Sequence, residues 1–368
     1  MAVFIFIAIV VILLLVLFLS IYPVFGGKPG EQTLSRMKQS PHYSNGKFEN
    51  VLPSAMSMSL RENLGLLMEF ARGNKLASPE KELTVMPLHP QSLRGKDAGQ
   101  APKVTWFGHS ALLLELDGKK LLLDPMLGRA PSPVPWIGGK RFSSSLPIEI
   151  EELPAIDAVL LSHDHYDHLD YGSIKRLKDK VGRFFVPLGV AAHLERWGVA
   201  PDRIEEFHWW EETVWEGIHM ACTPARHFSG RGLTGRNGTL WCSWVLHGRE
   251  ARIFFSGDSG YGPHFRQIGE QYGPFDLTLM ECGQYDNRWA AIHMMPEESV
   301  QAHLDVKGDV MIPIHWGAFR LAMHDWRDPA ERALKKAREL RTKLATPRIG
   351  EPVPIGTGTY PSDEWWRS

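Results

Sequence analysis

The chain reads as a layered α/β domain, a conclusion carried by an antiparallel start, a series of further short apolar strands, and helical patterns set between them. Strand-like runs at 103–107, 111–116 and 119–123 are separated by Gly108-His109 and Asp117-Gly118. An Asp-Gly pair between two such runs marks a two-residue hairpin, since both residues tolerate the positive φ that the turn requires. Further strands are expected at 158–161, 183–186, 219–223, 240–246, 252–255, 277–280 and 310–314. Helices are expected at 171–180, 191–197, 296–305 and 329–344. The last has Asp328 as N-cap, Pro329 at its first position and the stripe Ala333, Leu334, Ala337, Leu340. No internal repeat of short period is visible.

With 368 residues and 43% hydrophobic content the chain can bury a large core, which excludes disorder as the main state. Its 41 basic and 42 acidic residues leave a formal charge of −1, so no overall attraction to nucleic acid is expected. The three cysteines, Cys222, Cys242 and Cys282, have no CxxC spacing. They suggest buried thiols in a reducing compartment rather than a disulfide framework or a cysteine zinc site.

Every residue from Ala2 to Leu19 is apolar, and Ser20, Ile21 and Tyr22 extend the run to about the 20 residues that span a ~30 Å hydrocarbon core. No basic residue precedes it and no small-residue cleavage signature follows, so an uncleaved anchor is expected rather than a signal peptide. Lys28, Arg36, Lys38 and Lys47 all follow the run, which places the rest of a single-pass membrane protein on the cytoplasmic side. Residues 23–54 are rich in Pro, Gly, Ser and Asn and read as linker. A helix over 55–72 puts Met56, Leu60, Leu64, Leu67, Met68 and Ala71 on one face, to pack against the main domain, with Arg61, Glu62, Asn63 and Glu69 opposite. The expected division is a transmembrane anchor at 1–22, a linker and helical extension at 23–100, and one domain at 101–368.

The most informative stretch is His163-Asp164-His165-Tyr166-Asp167-His168, directly after the buried strand expected at 158–161. Imidazoles and a carboxylate gathered on one loop outline a metal site. His163 and His165, two apart, can converge on one ion, while Asp167 and His168 can face a second. Asp164 reads as a cap for the following turn. Two ions need more ligands, and His227, Asp258 and His315 each follow an expected strand beside glycine or proline, where the backbone turns at a sheet edge. The two carboxylate oxygens of Asp258 could bridge both ions. Ligands at strand ends suggest hydrolytic metal chemistry.

This order of motifs, HxHxDH followed by His, Asp and His, resembles the metallo-β-lactamase-fold hydrolase superfamily from about residue 103 onward. The resemblance implies an αββα four-layer sandwich, joined here to the N-terminal transmembrane helix, and two zinc ions (Zn2+) per chain. It places His163, His165 and His227 on one zinc, Asp167, His168 and His315 on the other, and Asp258 between them. The segments Trp106-Phe107-Gly108-His109-Ser110, Trp209-Trp210-Glu211-Glu212, Gly257-Asp258-Ser259-Gly260-Tyr261 and Ile314-His315-Trp316-Gly317 look like the N-acylphosphatidylethanolamine-hydrolysing phospholipase D branch. That branch implies release of an N-acylethanolamine and phosphatidic acid. The apolar N-terminal run departs from the animal enzyme of the branch.

Two zinc ions about 3.5 to 4 Å apart can activate water and clamp phosphoryl oxygens without a serine or cysteine nucleophile. In that reading Asp167 belongs to the catalytic centre. His293 stands where the branch has an active-site histidine, for substrate contact or leaving-group protonation; the plain alternative is a solvent-facing residue at a helix start. Arg231 and Arg236, in the glycine-rich loop after His227, either touch phosphate or are solvated. Asp124 either orients a histidine ligand or starts the Asp124-Pro125 turn, and His109 has a similar standing. Trp289, Trp316, Trp365 and Trp366 are core residues or lipid contacts. The expected function is a membrane-anchored dinuclear zinc phosphodiesterase acting on a phospholipid or another small phosphoester or ester. A lactonase or other ester hydrolase on the same centre, and a non-catalytic anchored metal-binding protein, are the competing readings.

Overall fold

Asp117 and Gly118 turn as their residue types dictate: both have positive φ, and Leu116 sits opposite Lys119 across a two-residue hairpin. The computed structural model describes residues 4–7, 9–11, 18, 22–54, 60–93, 101–134, 139–232 and 234–368, with backbone alone at 60, 62, 63, 67 and 71. Helix α1 (Glu31–Gln39), a small hairpin of β1 (Tyr43–Ser44) and β2 (Lys47–Phe48), and helix α2 (Leu60–Arg72) precede the main framework. One large sheet takes β3 (Lys103–Trp106), β4 (Leu112–Leu116), β5 (Lys119–Leu123), β6 (Ile156–Leu160), β7 (Val181–Pro187) and β8 (Ile204–Phe207). The other takes β9 (Glu212–Trp215), β10 (Ile218–Thr223), β11 (Ser243–His247), β12 (Arg252–Phe255), β13 (Phe275–Glu281), β14 (Gly308–Ile314) and β15 (Lys343–Leu344). The last strand, β16 (Pro352–Pro354), returns to the first sheet beside β3.

Across the first sheet, in the order β16-β3-β4-β5-β6-β7-β8, three antiparallel pairs are followed by three parallel ones. The second sheet, in the order β9-β10-β11-β12-β13-β14-β15, repeats that pattern. The chain thus holds two half-domains of like topology. Parallel pairs need crossovers, and helices α3 (Tyr171–Leu177), α5 (His264–Gln271), α6 (Pro296–Asp305) and α7 (Asp328–Leu340) lie in them, with α4 (Ala191–Arg196) after β7.

Strand alternation sorts the core. Leu113, Leu122, Val159 and Phe184 pack with Ile174, Leu177 and Leu194 of α3 and α4. Their neighbours Leu112, Leu114, Leu121, Leu123, Leu160 and Phe185 join a core with Trp244 and Phe255 of the second sheet. The same core continues to Phe265, Val300 and Ala333 on α5, α6 and α7. The layers therefore run helix, sheet, sheet, helix.

The N-terminal expectations need correction. Among the described residues no helix is long and apolar enough to cross a membrane, so the transmembrane helix at 1–22, the single-pass topology and the cytoplasmic placement derived from it are withdrawn. Residues 4–7, 9–11 and 18 are helical, and the rest of the apolar run to Ile21 lies outside the described residues. Hydropathy registers a run of side chains but not the partner that takes its end. Pro23–Phe25 forms a short helical turn on the domain, Val24 is buried, and Trp197 Nε1 donates to the Pro23 carbonyl at 2.6 Å.

The stretch 23–54 is not linker but α1 and the β1–β2 hairpin, with Met37 and Phe48 buried, because tertiary contacts supply what local composition lacks. In α2 the expected apolar face does not pack as a whole: Leu64 and Met68 are exposed, as are Arg61 and Glu69, the latter pairing with Arg288. Met56 lies outside the described residues. Asp328 is the first helical residue of α7 rather than its cap. Trp316, Trp365 and Trp366 are buried against one another, which removes them as lipid contacts.

His303 on α6 is buried, with Nδ1 2.7 Å from Thr278 Oγ1 and Nε2 3.0 Å from Thr342 Oγ1. Burial pushes it down to about 4. Between that value and the ordinary one near 6.5 the unfolded chain binds the proton that the folded one refuses, so stability falls as pH drops through this window. The loss for this group approaches about 3 kcal/mol by pH 4. Urea unfolding at pH 7 and pH 4.5 is expected to show a smaller acid loss in His303→Gln than in the wild type; equal losses would set this histidine aside.

Candidate metal centre

The expected ligands come from four strand ends that meet where the two sheets abut. The hexapeptide follows β6 and closes one turn, with the His168 and Leu169 amides donating to the His165 carbonyl. His227 follows β10, Asp258 follows β12 and His315 follows β14. Gly257, at φ 55°, lets the chain turn into Asp258: a Cβ there would lie 2.7 Å from both the Cys242 carbonyl and Ser162 Cβ. His109 and His315 clasp the two sheets, the His315 amide donating to the His109 carbonyl and the His109 amide to the Trp316 carbonyl, each at 2.8 Å.

The structure brings all seven expected ligands together in two adjoining groups that could each hold a metal ion. One is His163, His165, His227 and Asp258; the other is Asp167, His168 and His315 with His109. Hydrogen positions in the first group follow from its partners. His227 Nδ1 faces the Ile292 carbonyl at 2.9 Å and must carry its hydrogen, leaving Nε2 as an acceptor. Ser162 Oγ donates to Asp124 Oδ2 at 2.5 Å and so accepts from His163 Nδ1, again leaving Nε2 bare. Both bare nitrogens point at His165 Nδ1, at 2.9 and 3.2 Å, and Asp258 Oδ2 stands 3.8 and 3.7 Å from them. One hydrogen on His165 can serve at most one of these acceptors. Converging lone pairs beside a carboxylate suit a cation.

In the second group His168 Nδ1 donates to Asp124 Oδ2 at 2.7 Å. Its Nε2 lies 3.1 Å from Asp258 Oδ2 and 3.4 Å from Asp167 Oδ2, yet is aligned for a hydrogen bond with neither. His315 Nδ1 lies 3.1 Å from Asp258 Oδ1 and from Ser110 Oγ. His109 Nε2 donates to Asp167 Oδ2 at 2.8 Å.

Burial drives His163, His227 and His315 well below the ordinary histidine value, toward the neutral form that binds metal. Burial acts the same way on His168 but is outweighed by Asp258, Asp167 and Asp124, which hold that ring high. Burial also pushes Asp258 up to about 7. Carboxylates so placed call for positive charge, from a proton or from a metal. The buried atoms His165 Nε2, His168 Nε2 and Asp258 Oδ1 have no hydrogen-bond partner, so the donor set fits a metal.

Asp124 proves to be the orienting group for His168 and, through Ser162, for His163. Glu281 was missed. It is fully buried, burial raises it well above the ordinary range, and its two oxygens take the Met294 amide and approach His293 Nδ1, both at 2.8 Å. A lone acid closing the apolar run 277–280 was the available signal. His293 is not a solvent-facing residue: its ring stands 5.0 Å from that of His227 and 5.2 Å from that of His315.

Arg231 is a correction. It is buried, and it donates to the carbonyls of Val24, Asp164 and Leu169 at 3.0, 2.5 and 2.7 Å instead of opening toward a substrate. Arg236 is exposed and lies over Phe228, whose ring packs on His165. Asp164 caps no following turn; its carboxylate accepts from Gly230, Thr239 and His193.

Residues 119–316 match the family model described as a beta-lactamase superfamily domain. An uncharacterised protein of Mycobacterium tuberculosis is 43% identical over 90% of this chain and 88% of its own length. The N-acyl-phosphatidylethanolamine-hydrolyzing phospholipase D 1 of Caenorhabditis elegans is 33% identical over 78% of this chain and 85% of its own. Among solved structures, the isothiocyanate hydrolase from Delia radicum gut bacteria aligns with a TM-score of 0.54 at 21% identity, over 69% of this chain and 99% of that one. That last likeness speaks for the fold alone.

Removing the Asp124 carboxylate should loosen metal without removing a ligand. Asp124→Asn is expected to lower zinc affinity about 10- to 100-fold in competition with a chromogenic chelator, and elemental analysis of the unaltered protein should find about two ions per chain. Wild-type affinity in the variant would contradict the orienting role.

Proposed function

Because this chain belongs to the β-lactamase superfamily, as a metal-dependent hydrolase of the metallo-β-lactamase fold related to the N-acylphosphatidylethanolamine-hydrolysing phospholipases D, we propose that it cleaves the phosphodiester of a phospholipid of that type. The products would be an N-acylethanolamine and phosphatidic acid. The observation that carries this reading is the pair of adjoining ligand groups, with Asp258 of the first lying 3.1 Å from both His168 and His315 of the second, set beside a histidine that a buried carboxylate holds. The identity to the nematode enzyme over 78% of the chain supplies the substrate class.

His163, His165 and His227 would hold one zinc, and Asp167, His168 and His315 the other, with Asp258 between them. Bound there, such a pair supplies an acidified water and neutralises charge on the phosphoryl oxygens. The protein does the rest. His109 fixes one oxygen of Asp167, Asp124 fixes the ring of His168, and Ser162 fixes that of His163. His293, with Nδ1 engaged by Glu281, presents its other nitrogen as the proton donor to the departing alkoxide. Arg236 rests on Phe228 with its guanidinium 4.0 Å from the ring, an arrangement suited to a phosphate oxygen.

Phosphatidic acid and N-acylethanolamine release from N-acylphosphatidylethanolamine in mixed micelles tests the reading. Asp167→Asn is expected to lower kcat/KM at least about 100-fold. His293→Ala should lose about 10²- to 10⁴-fold with an alkoxide leaving group and far less with a nitrophenyl phosphodiester, whose leaving group departs without a proton. Lactone or thioester turnover by the metal-replete protein with no phosphodiester cleavage would overturn the assignment.

A further inference from the structure

Asp164 sits between two proposed ligands, His163 and His165, yet belongs to neither ligand group. It is buried, and every bond it makes leads away from the centre. Its Oδ1 accepts from the Gly230 amide at 2.7 Å, and its Oδ2 from Thr239 Oγ1 at 3.0 Å and His193 Nε2 at 3.2 Å. His193 passes the connection on. The Gly27 amide can only donate, so His193 Nδ1, 3.0 Å away, accepts, and the ring hydrogen stands on Nε2 facing Asp164.

A second route joins the same two places. Arg231 donates through Nε to the Val24 carbonyl, and through Nη1 to the carbonyls of Asp164, near the start of the histidine loop, and Leu169, just after its end. Its guanidinium lies over Tyr166 of that loop at 4.2 Å and over Trp197 at 5.1 Å, and Trp197 in turn donates to Pro23. Residues 23–27 are therefore tied to the loop twice, through His193 and through Arg231.

The fit at the joint admits no side chain. A Cβ on Gly26, whose φ is 78°, would lie 2.0 Å from His193 Nδ1, and one on Gly27 would lie 2.0 Å from the Ala192 carbonyl oxygen. Three residues on, Gly30 has nothing within 4 Å of its Cβ position.

We propose that residues 23–27 form a strap that holds the histidine loop in its ligating shape, with Asp164 the positioning residue through which His193 acts. The proposal rests on the ligand assignment above. Because the strap and the metal order the same loop, each stabilises the other: a disturbed strap sheds metal faster, and a stripped centre frees the strap. Neither effect needs a contact between strap and metal.

Zinc release to a chromogenic chelator from the loaded full-length chain tests it. Gly27→Ala and Asp164→Asn are expected to speed release about 10- to 100-fold, while Gly30→Ala releases at the wild-type rate. His193→Gln, which keeps a donor toward Asp164, should fall between the wild type and His193→Leu. Wild-type rates in Gly27→Ala and Asp164→Asn overturn the strap, as does equal acceleration by Gly30→Ala. If the variants fail to fold, hydrogen exchange of the Gly27 amide in the wild type decides: at least about tenfold faster exchange on zinc removal supports the coupling, and equal rates overturn it. A wild-type chain that binds no zinc refutes the ligand assignment instead, and the strap with it.

Discussion

Burying Asp124, Asp167 and Asp258 around one imidazole, that of His168, costs solvation that only positive charge returns. The other contacts of the centre are arranged around that constraint. Ser162 and the Ile292 carbonyl occupy the outer nitrogens of His163 and His227, so the inner ones are left as lone pairs, while Asp124 orients the ring of His168, which the surrounding carboxylates hold protonated. Neutral rings and converging acceptors are unfavourable alone and favourable around a cation. The surrounding sheets supply the rigidity that keeps these groups from moving apart.

The paired topology of the half-domains explains where the groups come from. By position in their sheets, β5 corresponds to β12 and β3 to β10. Asp124 follows β5 and Asp258 follows β12; His109 follows β3 and His227 follows β10. Corresponding positions thus carry the same residue type with divided labour: one aspartate orients a ring from outside while the other stands between both groups. One histidine steadies a carboxylate while the other is itself a candidate ligand.

Three of the eleven non-glycine residues with positive φ among those described lie at the same place. His109, Asp124 and His315 have φ of 56°, 39° and 67°, a region that costs a residue with a side chain of order 1 kcal/mol or more. They persist because hydrogen bonds over-determine them. His109 and His315 bond to each other's strand ends, and Asp124 takes the Ser162 amide and two side chains. The strain turns each side chain inward at a strand end where a relaxed residue would run on.

The sequence by itself determined the antiparallel opening, through Asp117-Gly118, and the principal strands, because a period of two and a turn dipeptide are local facts. It also singled out seven side chains that the fold gathers at one place, since residues with ligand chemistry recur there at strand ends. What it could not show were features made by partners far along the chain. The Asp124 carboxylate reads equally as a turn residue until His168 is seen against it, and Glu281 is one acid in a strand until His293 arrives. The apolar run at the N-terminus has the composition of a membrane helix, yet the segment it leads into is held by Trp197, His193 and Arg231, more than 160 residues away. Arg231 carries the same lesson: its charge and its place in a glycine-rich loop suited a phosphate, but three carbonyls had already claimed it. Local pattern decides which elements form, while the partners of a buried polar group are chosen by the fold that desolvates it.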